Sequence, residues 1–93
     1  MVHILEVFYS AHCIACPEAR QAVRQLAASR PDIVVVEREV ESHLELARQY
    51  RVMATPAVVI DGDSVIYGVP RFATLAARVD ASRPLAHSDE GLR

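Results

Sequence analysis

The sequence has no lysine and no tryptophan, and it holds only two cysteines and three glycines. All ten basic residues are arginine, so no lysine is present to act as a nucleophile or form a Schiff base. Two cysteines fall short of a self-contained structural zinc site, which normally takes four ligands. The four histidines, His3, His12, His43 and His87, are scattered along the chain. His12 beside Cys13 offers a third ligand, and no fourth is evident. Excess positive charge is also missing: the formal net charge is -2. That excludes a nucleic-acid binder working by bulk charge. No apolar run approaches the ~20 residues of a membrane span, so no membrane association is expected. The start of the chain has no basic segment ahead of a long apolar stretch, and Glu6 interrupts the short apolar run there. No export signal is read from it, and the expected location is the cytoplasm. Structural disulfides are rare in that compartment, so Cys13 and Cys16 call for another role.

What is present is a chain of 93 residues, 52% hydrophobic and 24% charged, the composition of one small globular domain. Residues 2–9 form a continuous apolar run that suits a strand buried on both faces. Ser10-Ala11-His12 breaks it, and helical spacing follows from about Cys13 to Ser29, with Ala19, Ala22, Val23, Leu26 and Ala27 on one face. Pro17 fits the first turn of that helix. Ile33-Val34-Val35-Val36 again reads as a buried strand. Ser42 and Glu45 have the spacing of a capping box, which predicts a short helix to about Tyr50. Ala57–Ile60 and Ser64–Tyr67, separated by a turn at Asp61-Gly62, predict an antiparallel hairpin. Phe72, Leu75, Ala76 and Val79 mark a final amphipathic helix. The expected order is β-α-β-α-β-β-α, an α/β fold with a mixed four-stranded sheet and helices on both faces. The domain is expected to span residues 1–81, with 82–93 as a flexible tail.

Cys13-Ile14-Ala15-Cys16 follows the first strand and opens the first helix, the context in which C-x-x-C reads as a redox motif. Two intervening residues let the sulfurs reach bonding distance. The helix N-terminus favours a thiolate on the first sulfur, and the second waits one turn in. By thiol–disulfide exchange, Cys13 attacks a disulfide and Cys16 resolves the mixed disulfide. His12 is the titratable group nearest Cys13 in the chain: as a cation it favours the thiolate, the alternative being a solvent-exposed loop residue with no part in the chemistry. Met53 offers an adaptable thioether for lining a substrate groove, with core filling as the alternative.

Phe8-Tyr9-Ser10-Ala11-His12-Cys13-Ile14-Ala15-Cys16-Pro17, the segment Val40–Tyr50, and Arg51–Ile60 with Thr55-Pro56 ahead of a strand together resemble thioredoxins and small glutaredoxin-like proteins. The resemblance covers roughly residues 1 to 80, about one small domain. It implies a thioredoxin-like three-layer fold and a thiol–disulfide oxidoreductase needing no cofactor. The implied substrate is a disulfide-containing protein or small molecule, and the implied electron donor is a reductase or glutathione. The resemblance further implies a cis peptide at Thr55-Pro56, with Thr55 pairing its backbone to an extended substrate and Pro56 shaping the groove. Met53 and His12 complete the expected substrate-binding set, and a monomer is expected.

The chain departs from the family's pattern in several places. His12 stands where tryptophan is common, and Ile14-Ala15 replaces Gly-Pro between the cysteines, so the potential is not transferable. Val7 occupies the position of a buried aspartate in thioredoxins. Glu6 beside it points to the opposite face, so the sequence assigns no side chain as proton acceptor for Cys16, and solvent can serve. Tyr67-Gly68-Val69-Pro70-Arg71 lacks the Gly-Gly-acid signature of glutathione binding. Arg51 and Arg71 are alternative partners for a glutathione carboxylate, or solvated surface charges.

The competing reading is a soft-metal carrier holding Cu(I) on Cys13 and Cys16, similar to small copper-chaperone domains. Ala11 in place of a methionine, the expected element order and the idle Thr55-Pro56 weigh against it. An iron–sulfur cluster bridged between two chains needs four thiolates, and the weak glutathione signature disfavours it.

Overall fold

The computed structural model describes residues 1–84. The chain forms β1 (His3–Tyr9), α1 (Cys16–Ala28), β2 (Ile33–Glu39), a 3₁₀ turn (Val40–Ser42), α2 (Leu44–Gln49), β3 (Ala57–Ile60), β4 (Ser64–Tyr67) and α3 (Phe72–Asp80). The sheet order is β2-β1-β3-β4. β1 runs parallel to β2, with His3 beside Ile33 and Tyr9 beside Glu39. It runs antiparallel to β3, with Leu5 beside Ile60 and Phe8 beside Ala57. β3 and β4 form the hairpin.

The two central strands are buried on both faces, and their period of two sorts side chains into two cores. Leu5, Val7, Val58 and Ile60 pack with Val23 and Leu26 of α1 and Leu75 and Val79 of α3. Phe8, Ala57 and Val59 pack with Ala47 of α2, and Leu46, Tyr50 and Val52 lie against them. The Tyr50 ring meets Phe8 edge-on at 6.2 Å, a favoured aromatic geometry.

Several expectations need correction. Val34-Val35-Val36 is not a buried strand: β2 is the sheet edge, only Ile33 is buried, and Val34 is 44% exposed. Helix α1 begins at Cys16 rather than Cys13. The capping box at Ser42 does not form. Ser42 closes the 3₁₀ turn, and His43 is the N-cap of α2 without a side-chain cap. The His43 Nδ1 donates instead to the Glu39 carbonyl oxygen at 3.0 Å. Phe72 begins α3 but is 57% exposed, because the inward face of that helix is made by Leu75 and Val79 with Ala76 packed beside them.

At the end of the sheet away from the cysteines, Asp61 (φ 53) and Gly62 (φ 69) turn the hairpin in left-handed conformations that glycine adopts freely and aspartate tolerates. The Asp61 carboxylate is buried. It accepts from His3 Nδ1 at 2.7 Å and from the Ile4 N–H at 2.7 Å. His3, treated as background in the sequence, is thus one half of a buried hydrogen-bonded pair.

Arg20 and Arg24 of α1 both bond the Glu37 carboxylate on β2, and the Arg20 guanidinium lies 3.9 Å above the Tyr9 ring. These contacts tie the second and third turns of α1 to the sheet and so fix where its first turn sits. The hydrogen bond from Arg24 is the main cause of a Glu37 carboxyl held below its ordinary value. A depressed folded-state value makes the unfolded chain bind more protons in that range, so the stabilisation is complete above the ordinary glutamate value and fades as pH falls through the folded one. Glu37→Gln is therefore expected to lower stability by about 1 kcal/mol at neutral pH, a figure kept small by the half-exposed Arg24. Urea titrations should show the gap from wild type closing only at pH below the ordinary glutamate range.

Helix α3 ends at Asp80, and the Ser82 N–H bonds the Val79 carbonyl oxygen at 3.0 Å. Most of the expected tail, residues 85–93, lies outside the described residues. Among the described residues no helix is long and apolar enough to cross a membrane.

Candidate active site

β1 and β3 run antiparallel with Phe8 against Ala57. The segment leaving β1 at Ser10 and the segment entering β3 at Thr55-Pro56 therefore meet at one end of the sheet. Helix α1 starts at the same end. Cys13 lies in the turn between β1 and α1: its N–H bonds the Ser10 carbonyl oxygen at 3.3 Å, and its own carbonyl accepts from the Cys16 N–H at 3.3 Å. A disulfide joins Cys13 and Cys16, whose Cα atoms are 5.4 Å apart, inside the usual range for a bridged pair.

The two cysteines are not equivalent. Cys16 is 1% exposed beneath α1, Cys13 is half-buried, and Ile14 between them is 97% exposed. Ala15 is the N-cap of α1 and supplies no side-chain hydrogen bond. The Cys16 and Ala19 N–H groups bond the Cys13 and Ala15 carbonyls and Pro17 has no N–H, so what the helix start offers a thiolate at the turn is chiefly its dipole.

The peptide between Thr55 and Pro56 is cis, and Pro56 is buried. Ala54 is exposed and Thr55 half-buried. Among the described residues the backbone of neither residue makes a backbone hydrogen bond. Ser10, Val40, Glu41, Val52, Met53, Ala54 and Thr55 line a cleft of about 250 Å³, so Thr55 shares a surface depression with Ser10, the residue that opens the turn to Cys13. Met53 is 84% exposed. This excludes core filling and leaves the cleft-lining alternative. His12 is exposed in the turn and makes no hydrogen bond or ion pair among the described residues.

Glu6 is buried, and its Oε2 accepts from Arg38 Nε at 2.8 Å, while Oε1 is buried without a hydrogen-bond partner among the described residues. It shares a strand face with Phe8, in the α2 layer, so it stands on the other side of the sheet from Cys16. Burial, followed by the Glu6 charge, pushes the Tyr50 phenol up from its ordinary value. Val7 is fully buried under α1 and α3, so the sheet supplies only an apolar side chain at that position.

Sequence reading missed Ser10, Val40 and Tyr67 as parts of this region. The Tyr67 hydroxyl donates to the Arg51 carbonyl oxygen at 3.0 Å and accepts from the Met53 N–H at 3.1 Å. The sequence carries no local signal for it, because a tyrosine ending a short strand is ordinary. Arg71 precedes α3, and Arg51 lines a second depression beside the cleft, with Leu44, Ala47 and Arg48. Among the described residues no group of three or more histidine, cysteine or acidic side chains is placed to hold a metal ion.

A disulfide at a strand–helix junction, one sulfur buried and one accessible, defines a thiol–disulfide oxidoreductase. Comparison with known proteins agrees. The model of the thioredoxin domain family matches residues 3–79. A thioredoxin from Methanocaldococcus jannaschii is 39% identical over 67 residues, covering 71% of this chain and 79% of that protein. The chain therefore belongs to the thioredoxin family. Among solved structures, oxidised mitochondrial thioredoxin 3 of Saccharomyces cerevisiae superposes with a TM-score of 0.74 at 23% identity, covering 86% of this chain and 78% of that one. A domain of alkylhydroperoxide reductase AhpF from Enterococcus faecalis superposes with a TM-score of 0.77 at 24% identity. The match covers 85% of this chain but only 38% of that one. At these identities the two structures attest the fold alone.

Proposed function

We propose that the protein is a disulfide reductase in which Cys13 is the nucleophile and Cys16 the resolving cysteine. The unequal burial of the two sulfurs carries this reading: a substrate disulfide can reach the half-buried Cys13 but not Cys16, which is 1% exposed. In the reduced protein the Cys13 thiolate attacks one substrate sulfur. The Cys13–substrate bond forms, the substrate S–S bond breaks, and one substrate thiolate leaves. The Cys16 thiolate then attacks Cys13 Sγ, forms the Cys13–Cys16 disulfide and releases the second substrate thiolate. Two electrons pass from the protein to the substrate, and both released thiolates take protons from solvent. A dithiol reductase or glutathione reverses the process and restores the dithiol.

In this reading Thr55 pairs its free backbone with the substrate chain, Pro56 closes the groove, and Met53 and His12 border it. The protein works as a cytoplasmic monomer with no cofactor. Its family and element order favour exchange over Cu(I) carriage.

The test is a titration of the Cys13–Cys16 pair in glutathione redox buffers, with free thiols counted by alkylation and mass. A reversible two-electron transition between about −270 and −200 mV is expected for a reductase. A midpoint near −120 mV, roughly that of a strong oxidant, overturns the reductase assignment. Failure to form the disulfide at any potential overturns exchange altogether.

A further inference from the structure

The chain between α2 and β3 takes an unusual path. After Tyr50 the helix closes through the Arg51 N–H to the Arg48 carbonyl at 3.0 Å and the Val52 N–H to the Ala47 carbonyl at 2.8 Å. These are the two bonds of a Schellman motif. The left-handed residue such a motif requires is usually glycine. Here it is Arg51, with φ 60, so a side chain stands where the backbone disfavours one. That closure leaves the Arg51 carbonyl and the Met53 N–H facing outward, and the Tyr67 hydroxyl bonds both, at 3.0 and 3.1 Å.

Tyr67 itself is fixed. It ends β4 opposite Ala57, and the next residue, Gly68, donates its N–H to the Pro56 carbonyl at 3.0 Å. Gly68 has φ 80, and a Cβ at this position would meet no atom within 4 Å, so the glycine is there for its conformation rather than for room. The end of β4 thus grips the cleft wall on both sides of Ala54-Thr55: by the Tyr67 hydroxyl before it and by the Gly68 N–H after it. Between the two grips lie the residues whose backbone groups make no backbone hydrogen bond among the described residues.

We propose that Tyr67 is a positioning residue: its hydroxyl holds the Ala54-Thr55 backbone in the place where an extended substrate pairs with it, so that removing the hydroxyl weakens reaction with a peptide disulfide and not with a small one. The inference rests on the proposed exchange at Cys13 and the proposed pairing at Thr55, and adds the residue that holds the pairing surface in place. A small disulfide reaches Cys13 without using that backbone. A peptide pairs with it, and a segment held in place before binding loses less freedom on pairing than a loose one.

The experiment compares wild type with Tyr67→Phe, which keeps the ring and removes only the hydroxyl of an exposed side chain. Each protein, pre-reduced, reacts with cystamine and with a linear peptide whose single cysteine is disulfide-bonded to cysteamine, so the two substrates share a leaving group. The variant is expected to raise KM for the peptide by about fivefold, the scale of one or two net hydrogen bonds, with kcat, the rate on cystamine and the Cys13–Cys16 midpoint potential unchanged. Amide exchange at Met53 should quicken in the same variant. An equal loss on both substrates, or a loss on neither, overturns the role of Tyr67, as does unchanged Met53 exchange. A wild-type protein that reacts with neither substrate overturns the exchange reading itself.

Discussion

Replacing Cys16 with serine is expected to stop multiple-turnover reduction of a disulfide substrate and to leave one substrate half bonded to Cys13 in each chain. The reason lies in the geometry of the pair. With Cα atoms 5.4 Å apart, Cys16 is held against the sulfur it must attack, and intramolecular groups so placed act at effective concentrations far above any added thiol. With only millimolar external thiol to release the adduct, turnover should fall by about a thousandfold or more. Intact-mass analysis of Cys16→Ser after mixing with an excess of disulfide should find a single adduct that added dithiothreitol removes. Cys13→Ser should form none, because the remaining sulfur is buried. An adduct on Cys13→Ser, or normal turnover by Cys16→Ser, reverses or removes the assigned roles.

The second large effect concerns stability. Glu6 is 3% exposed and its charge is met by Arg38, whose side chain is 25% exposed. Removing one partner of such a pair leaves an uncompensated charge in an apolar layer, which is far more costly than losing a surface contact. Arg38→Met should therefore lower unfolding free energy by about 2 to 3 kcal/mol, at the lower end of the range for buried pairs because Arg38 reaches solvent. The paired change Glu6→Leu with Arg38→Met removes both charges and should recover most of that loss, since apolar replacements of whole buried pairs are often neutral or better. Urea unfolding of the two single variants and the double variant closes the cycle. A single variant within 0.5 kcal/mol of wild type, roughly the scale of ordinary surface changes, means the pair contributes little.

Glu6 also shows what local pattern conveys and what it omits. Alternation along β1 says that Glu6 and Val7 face opposite ways, and they do: Val7 lies with α1 and α3, and Glu6 shares its strand face with Phe8. Alternation does not say that Glu6 is buried or that Arg38 meets it, because those facts depend on which strand lies alongside. The same limit explains Val34. A run of β-branched residues reads as buried whether its strand is central or at the edge, and only the order β2-β1-β3-β4 exposes it. Ser42 and Glu45 have capping-box spacing, yet the 3₁₀ turn after β2 carries the chain past Ser42 before α2 begins. Spacing alone cannot register that turn. Met53 reads equally as core or rim until the closure at Arg51 turns it outward.

Element order, the opposite facing of neighbours along the central strands and the pairing of Cys13 with Cys16 are all legible in the bare chain. Each of these rests on periodicity or on a separation of a few residues, where local geometry leaves few alternatives. Folding in three dimensions was needed to settle which strand is the edge, that His3 meets Asp61 across 58 residues, that Glu37 gathers two arginines, and that Tyr67 holds the loop before Pro56. Those contacts join segments distant in the chain. They arise only once the sheet order sets which ends lie side by side, and a hydrogen bond between such ends leaves no trace in the spacing of either partner.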